Sequence, residues 1–403
     1  MNTLIELYDK EPIENIYAAL AFRPEQVVFL GDSRLMTRER QEHLKLFFKQ
    51  QQLKTKLFFY PLRGEDTQQI ERTFLQVAER FPDGVVDVTG GTDLLLVTAG
   101  KLCERAEMPV IFFNVRTGEL VPLGKKTGLG DFSAPALTVQ SLLTLAGGAY
   151  LRHGHYTPEL ENPQVKQEVL AVWDLIAADM EGWSRQSAYF QQAARPGELE
   201  VHAPVHIQVN FKNMVHSQPR FMKRLSEIGV IQDYRMTNGR VHYRYKNEMY
   251  QRLLSDTGVW LELYTYYTAK SSGLFDDVQT SVIIDWDGRE KENYNTINEI
   301  DDILVKGIVP LFVSCKMGVP SVLAVTEIEM LARRFGGALA KPVLVTASRV
   351  SELAPFTAAR ARDMGVTILE IQQMDDRNFL ERLAAVSNID HLPLTRDGNV
   401  RRF

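Results

Sequence analysis

The sequence is poor in cysteine and in long apolar runs, and each shortage excludes a class of protein. Only two cysteines occur in 403 residues, Cys103 and Cys315, so a disulfide scaffold or a cysteine-rich zinc site lacks ligands. Nowhere do about eighteen apolar residues follow one another, and the N-terminus lacks the basic and apolar regions of a signal peptide. We therefore expect a cytoplasmic protein with no membrane contact and with both cysteines reduced.

Several catalytic and nucleotide-binding motifs are also missing. The absence of GxGxxG and GxxxxGK[ST] argues against a dinucleotide enzyme and an NTPase, and the absence of GxSxG argues against a serine hydrolase. His202 and His206 have the spacing of zinc ligands on a helix, but Pro204 between them disfavours that helix. The formal net charge of -5 attracts no polyanion in bulk, so any nucleic-acid contact requires a local basic groove.

The remaining composition, 45% hydrophobic and 24% charged, allows two or three domains that each bury a core. In the first 150 residues short apolar runs alternate with amphipathic patterns. The predicted strands are 26–30, 56–60, 85–88 and 110–113, and the clearest predicted helices are 36–50 and 67–81. This alternation predicts a Rossmann-like α/β domain with a mostly parallel sheet covered on both faces.

Two loops of this domain are candidate ligand sites, because such sheets bind ligands beyond the carboxyl ends of their strands. One follows strand 26–30 and the other precedes a helix that begins near Leu94. Their candidate ligand-binding residues are Gly31, Asp32, Ser33, Thr89, Gly90, Gly91 and Thr92. Paired glycines admit a ligand close to the backbone, and the N–H groups of a helix start bind phosphate. The alternative is a tight turn with Thr92 as the N-cap.

The middle of the chain, 158–250, breaks the alternation and is locally basic. A helix at 220–228 ends at Gly229, and Asn238-Gly239 predicts a hairpin between strands 230–236 and 240–245. Helix and hairpin together are typical of a winged-helix fragment. Basic side chains interleaved with Tyr234, Tyr243 and Tyr245 fit a nucleic-acid surface, and a solvated face packed between two domains explains them equally well.

The candidate catalytic residues lie in the C-terminal third. Strands 298–305 and 309–316, joined by Lys306-Gly307, form a hairpin that brings Asp301 near Lys316, with Ser314 on the same face as the lysine. An unpaired carboxylate or ammonium in a half-buried sheet is costly. A site in which a divalent metal activates water for phosphodiester hydrolysis would explain why a carboxylate and an ammonium lie together here.

Each candidate has a predicted role at such a metal. Asp301 ligates the ion, and Lys316 orients the attacking water or stabilises charge on the scissile phosphate. The backbone carbonyl of Cys315 offers a further oxygen. Glu262, on the predicted helix 258–264, is the best third acidic ligand, and Asp285 is a weaker one.

Asp301 with Ser314-Cys315-Lys316 resembles the PD-(D/E)xK nuclease signature, and the helix carrying Glu262 precedes it in the expected order. The family's second acidic position is Ser314 here, and a hydroxyl is a poor ligand for a hard cation, so the role of this serine is open. Together with the glycine-threonine loop at 89–92 and the loop at 31–33, the chain resembles the CRISPR ancillary nucleases. Those proteins join a CARF sensor domain to a PD-(D/E)xK nuclease.

The resemblance implies a homodimer that binds a cyclic oligoadenylate, above all cyclic tetra-adenylate, made when a type III CRISPR complex detects foreign RNA. It implies cleavage of DNA, RNA or both with manganese or magnesium. The expected division is a CARF domain at 1–157, a partly winged-helix-like connector at 158–250 and a restriction-endonuclease-like domain at 251–403. Two other hypotheses stay open: a nucleotide-responsive nucleic-acid-binding regulator with an inert C-terminal domain, and a ligand-independent repair or restriction nuclease.

Overall fold

The computed structural model describes residues 1–123, 132–152, 158–286 and 297–387, which include every predicted site residue. Both cysteines are buried and free. In the described part of the chain no helix has the length and apolarity needed to cross a bilayer.

A mostly parallel sheet covered by helices forms the first lobe. Its strands are β1 (Thr3–Leu7), β2 (Gln26–Asp32), β3 (Lys56–Leu62), β4 (Gly84–Asp87), β5 (Val110–Asn114) and β6 (Glu119–Leu123). Its helices are α1 (Tyr17–Phe22), α2 (Arg38–Gln50), α3 (Thr67–Arg80) and α4 (Asp93–Ala106). The strand order is β3-β2-β1-β4-β5-β6, parallel from β3 to β5 and antiparallel at β6. The predicted Rossmann-like arrangement is thereby confirmed.

Alternation along β2 explains why both faces of this sheet are covered. Val27 and Phe29 belong to one apolar core, whereas Val28 and Leu30 belong to another on the opposite face. All four side chains are fully buried. A strand buried on both sides reads as a continuous apolar run, which is why the sequence predicts it well.

A short bridge and a middle unit follow the first lobe. The bridge consists of α5 (Val139–Leu145) and β7 (Ala149–Arg152). The middle unit consists of α6 (Pro163–Ala178), α7 (Met180–Ala193), β8 (Glu200–Pro204), β9 (His206–Gln208), β10 (Met214–His216), α8 (Pro219–Ile228), β11 (Ile231–Thr237), β12 (Arg240–Tyr245) and α9 (Glu248–Ser255). Strands β11, β12 and β8 form one antiparallel sheet beside α8.

The hairpin predicted in the middle unit is confirmed, but its aromatic face is not. Asn238 and Gly239 have φ values of 49° and 72°, as a type I′ turn requires. Tyr243 and Tyr245 alternate with outward-facing residues of β12 and are completely buried. These two tyrosines are therefore core residues, and of the two interpretations left open, the one in which they face nucleic acid is wrong for them.

A second six-stranded sheet forms the second lobe. Its elements are α10 (Val259–Ser272), β13 (Asp277–Asp285), β14 (Ile297–Lys306), β15 (Val309–Lys316), α11 (Val322–Gly336), β16 (Lys341–Thr346), α12 (Val350–Leu353), α13 (Pro355–Asp363), β17 (Thr367–Glu370) and α14 (Asp376–Ser387). The strand order is β17-β16-β15-β14-β13-β7. Strand β7, which lies inside the range 1–157, pairs antiparallel with β13 through Ala149 and Asp285. The chain thus enters the second lobe before residue 157.

Candidate functional site

The hairpin of β14 and β15 carries the carboxylate and the ammonium predicted from sequence. Its backbone ladder ends at the pair Asp302 and Val313. One residue further, Asp301 Oδ2 accepts hydrogen bonds from the Cys315 N–H at 2.5 Å and the Ser314 hydroxyl at 3.3 Å. Lys316 Nζ lies 3.4 Å from the same oxygen. The structure therefore brings all three predicted positions of the hairpin to one carboxylate.

This ion pair is open to solvent. The side chain of Lys316 is 42% exposed and that of Asp301 is 23% exposed. An exposed pair of this kind contributes little to stability. Its accessibility leaves both groups free to meet a substrate from the same side.

Glu262 lies beneath the pair, on α10. It is buried, and its Oε1 atom is 3.1 Å from the Thr280 hydroxyl, which is 3.3 Å from the Asp301 carbonyl oxygen. Burial raises the pKa of Glu262 well above its usual value, and the charges of Asp301, Asp302 and Glu299 raise it further. A carboxyl group in this position must either hold a proton or share a cation.

The face of the hairpin that packs on α10 carries a second buried acidic group besides Glu262. Asp302 is completely buried, and burial followed by the charge of Asp301 raises its pKa well above the usual value. Its Oδ2 atom is 3.9 Å from the Cys315 thiol, itself 3.7 Å from the Thr265 hydroxyl. For Cys315, predicted to offer its carbonyl, the contact seen with Asp301 is instead through the N–H.

Glu299 is a site residue that sequence reasoning did not select. It lies two positions before Asp301 on β14, so the two side chains share a face. Its Oε1 atom accepts a hydrogen bond from the Ser281 hydroxyl at 3.0 Å. Ser281 has a φ of 52°, which is rare for a buried non-glycine residue. The i, i+2 spacing of the two carboxylates was the available signal.

The donor set fits a hard divalent cation in an open site. Carboxylate oxygens suit Mg²⁺ and Mn²⁺, and Mg²⁺ commonly keeps several waters beside one or two protein carboxylates. In the described ranges, one group of three His, Cys, Asp or Glu residues has its ligand atoms within 4.8 Å of one another: Glu200, His202 and His242. Asp301 and Glu262 do not belong to such a group, so they do not form a closed cage. Asp285 lies at the far end of β13 beside β7.

The two histidines with zinc-like spacing have different neighbours. His202 lies on β8 and contacts His242 of β12, whereas His206 lies on β9 and contacts His216 of β10. As Pro204 predicts, neither histidine lies on a helix, and the two do not share one site.

In the first lobe, the predicted glycine-threonine loop connects β4 to α4. The Thr89 hydroxyl contacts Asp87 and accepts a hydrogen bond from the Phe113 N–H at 2.8 Å, so Thr89 fixes the loop. Gly91 has a φ of 117° and a Cβ there would lie 3.0 Å from Leu7 Cβ. Thr92 is the N-cap of α4, and its buried hydroxyl has no hydrogen-bond partner in the described part of the chain.

The other predicted ligand loop begins later than expected. Gly31 and Asp32 pair with β3 as the last residues of β2, and both are buried. Arg34 binds the Asp32 carboxylate at 2.7 Å and lowers its pKa. Ser33 is exposed. Of the three residues 31–33, Ser33 is the one whose side chain faces solvent.

Acidic residues lie near the two predicted ligand loops, on and after β1 and β4. These two strands are neighbours at the point where the strand order of the first sheet reverses. Glu6 and Asp87 are adjacent on β1 and β4. Burial raises the pKa of Glu6 well above its usual value and that of Asp87 to about 6. Burial and the neighbouring charges of Asp9 and Glu11 raise the pKa of Glu14 to about 7. The carboxyl groups at this end of the sheet therefore bind protons at higher pH than ordinary carboxyl groups do.

A cavity of about 710 Å³ separates the two lobes, and we call it the interlobe cleft. Its walls come from the segments after β1 and β2, from α2, from the end of α5 and from the C-terminal end of α11. Its basic lining residues are Lys10, Arg34, Arg40, His43, Arg333 and Arg334. The sequence gives no signal for this cleft, because these segments are far apart along the chain.

Fold and site define a two-lobed α/β protein with a Rossmann-like lobe and a carboxylate-lysine hairpin in the second sheet. No family model and no curated protein matches the chain. Among solved structures it is similar to protein VC1899 from Vibrio cholerae, with a TM-score of 0.76 and 17% identity over 97% of this chain and 99% of that one. It is also similar to Can2 from Sulfobacillus thermosulfidooxidans in complex with cyclic tetra-adenylate, with a TM-score of 0.67 and 15% identity over 96% and 99% of the two chains.

A third similarity is partial. A type III CRISPR defence DNA nuclease activated by cyclic oligoadenylate matches 85% of this chain and 45% of its own at 15% identity, and its TM-score of 0.49 is too low to support an inference. The matches to VC1899 and Can2 run from end to end. The predicted resemblance is thus confirmed for the fold, which this chain shares with VC1899 and with Can2.

Proposed function

We propose that this chain is a CRISPR ancillary nuclease of type III defence, activated by a cyclic oligoadenylate and dependent on a divalent metal. The first lobe is the CARF sensor, the middle unit is a partly winged-helix-like connector, and the second lobe is a PD-(D/E)xK-like nuclease. The substrate is DNA, RNA or both. The observation that carries the proposal is the solvent-open pair of Asp301 and Lys316 above the buried Glu262.

The residues of the hairpin fit the hydrolysis of a phosphodiester. Asp301 and Glu262 would hold Mn²⁺ or Mg²⁺, which when bound polarises a phosphoryl oxygen and lowers the pKa of water. Lys316 places a positive charge beside Asp301, where it stabilises charge that develops on the scissile phosphate. Water supplies the attacking oxygen, one P–O bond breaks, and the leaving oxygen takes a proton.

Glu299 supplies the acidic group that the family has at the position of Ser314. It shares a face with Asp301, and its charge already acts on Glu262. Asp302, the other nearby carboxylate, is completely buried beside Cys315, on the side of the hairpin where Glu262 lies. Ser314 then serves as a hydrogen-bond donor to Asp301.

The sensor would hold its ligand at Ser33, Gly90, Gly91 and Thr92, and cyclic tetra-adenylate is the proposed activator because Can2 shares the fold and was solved with that molecule. A two-fold ring suits a homodimer, in which two sensors share one ligand. Such a ligand shifts the dimer toward the cutting form only through its higher affinity for that form. The proposed location is cytoplasmic.

The test is cleavage of labelled single- and double-stranded DNA and RNA with manganese and each cyclic oligoadenylate in turn. We expect activity with one ring size, loss on chelation, and loss in Asp301→Ala and Lys316→Ala with ligand binding intact. Full activity in either variant rejects the site. Ligand-modulated duplex binding without cleavage favours a nucleic-acid-binding regulator, and cleavage unaffected by Thr92→Ala with Ser33→Ala favours a ligand-independent nuclease.

A further inference from the structure

The interlobe cleft lies at the ligand-binding end of the first sheet. Tyr8 and Lys10 follow β1, and Arg34 follows β2, so the cleft opens beyond the carboxyl ends of two adjacent parallel strands. Its volume of about 710 Å³ is within the range of small-molecule sites. Unlike the glycine-threonine loop, the cleft also has a wall from the second lobe.

Two arginines, one from each lobe, line this cleft together with two acidic residues, Glu11 and Glu39. In the described ranges neither Arg40 nor Arg334 forms a salt bridge, whereas Arg34 binds Asp32 and Arg333 binds Glu329. Burial and the charge of Arg40 lower the pKa of Arg334. Like charges repel each other, and an anion bound between the two guanidinium groups relieves that repulsion.

Both guanidinium groups are held in place by neutral groups. Arg334 donates to the Ala146 carbonyl at 2.7 Å and lies over the rings of Phe335 and Trp286 at 4.7 and 5.8 Å. Arg40 donates to the Leu35 carbonyl at 3.1 Å. Side chains that are already ordered lose less entropy when they bind a ligand.

We infer that Arg40 and Arg334 together bind a phosphodiester group of the cyclic oligoadenylate, so that the activator contacts both lobes. This inference rests on the proposed function and extends its ligand site into the second lobe. Arginine suits the role because its guanidinium binds phosphate through two parallel N–H groups.

The position of Arg334 connects the ligand to the nuclease hairpin. It lies near the C-terminal end of α11, which packs on β15, the strand that carries Ser314 and Lys316. A phosphate that draws Arg334 toward Arg40 moves α11 relative to the first lobe. Small shifts of packed helices are a common route from a ligand site to a distant one.

The experiment measures binding of cyclic tetra-adenylate by calorimetry to the full chain, to Arg40→Ala, to Arg334→Ala and to the double variant. Each single variant should bind about 10- to 100-fold more weakly, as expected for the loss of a charge-assisted contact. The double variant should lose less than the product of the two effects, because both residues bind one phosphate. Arg377→Ala, which removes an exposed arginine paired with Glu381, is the matched control and should bind like the original chain.

The outcomes separate this inference from the proposed function. If the original chain binds no cyclic oligoadenylate, the proposed function fails and this inference fails with it. If it binds and both variants bind equally well, the cleft is not the phosphate site and the proposed function stands. If the variants bind the activator as the original chain does but bind single-stranded DNA or inorganic phosphate more weakly, the cleft binds another anion. That result also overturns the inference. Arg334→Lys, with unfolding temperatures for every variant, excludes a folding defect as the cause.

Discussion

The acidic group that Glu299 supplies on β14 could be transferred to position 314 on β15 by a pair of substitutions. Glu299→Gln should weaken Mn²⁺ binding and cleavage by about 10- to 100-fold, because a carboxylate beside Asp301 is lost. Adding Ser314→Glu to that variant should restore most of both, since the new carboxylate stands next to the same Asp301. Calorimetric titration of each full-length variant with Mn²⁺ measures the change in metal affinity in the absence of substrate.

Glu327, on α11, provides the control for this exchange. It is an exposed glutamate outside the hairpin, and Glu327→Gln should leave Mn²⁺ affinity unchanged. If Glu299→Gln binds Mn²⁺ as well as the original chain, Glu299 is no metal ligand and Ser314 has no acidic substitute on β14.

Glu14 should make the first lobe less stable as the pH rises. Its pKa is raised to about 7, so the folded chain holds a proton that the unfolded chain has lost by then. The favourable contribution is full near pH 4 and disappears as the pH passes about 7. Glu14→Gln should therefore raise the unfolding temperature by a few degrees at pH 8 and change it little at pH 5.

Glu42, whose pKa is lowered rather than raised, tests whether the pH-dependent gain in stability is specific to Glu14. The pKa of Glu42 is lowered by its hydrogen bond to Lys45, so Glu42→Gln should bring no gain at pH 8. An equal gain for Glu14→Gln at both pH values contradicts the assignment of a raised pKa to Glu14.

At the scale of elements, two glycines near α4 should respond in opposite ways to substitution by alanine: Gly91, in the turn before the helix, and Gly100, inside it. Gly91→Ala should destabilise the chain by about 1–3 kcal/mol, because a Cβ is strained at a φ of 117° and meets Leu7. Gly100, inside α4, has nothing within 4 Å, so Gly100→Ala should stabilise by up to about 1 kcal/mol. Denaturant unfolding of both variants checks the contrast, and equal effects would show that backbone conformation is not the cause.

The sequence predicts those elements best that have one clear periodicity. The predicted strands of the first sheet and the Asn238-Gly239 hairpin are confirmed. The pattern does not predict strand β1, because Glu6 interrupts its apolar run; burial in the structure raises the pKa of this carboxyl group, which favours its neutral form. The Asp301 and Lys316 contact follows from the register of one hairpin, whereas the interlobe cleft depends on distant segments and has no local signal.

For the whole molecule, the bridge should decide whether the second lobe is stable alone. A fragment starting at residue 158 lacks β7 and leaves the edge of β13 unpaired, so we expect it to aggregate. A fragment starting at residue 132 keeps β7 and α5 and should stay monodisperse longer. Light scattering on both fragments measures the difference, and equal solubility would mean that β7 does not protect the edge.

Strand β7 also has an evolutionary consequence. It precedes the middle unit in the chain but completes the sheet of the second lobe, so recombination between β7 and the middle unit would separate a strand from its hydrogen-bonding neighbour. Exchange of second lobes between relatives can preserve both folds only if the crossover falls before the bridge. Inheritance of the two lobes as one unit is therefore favoured by backbone pairing alone.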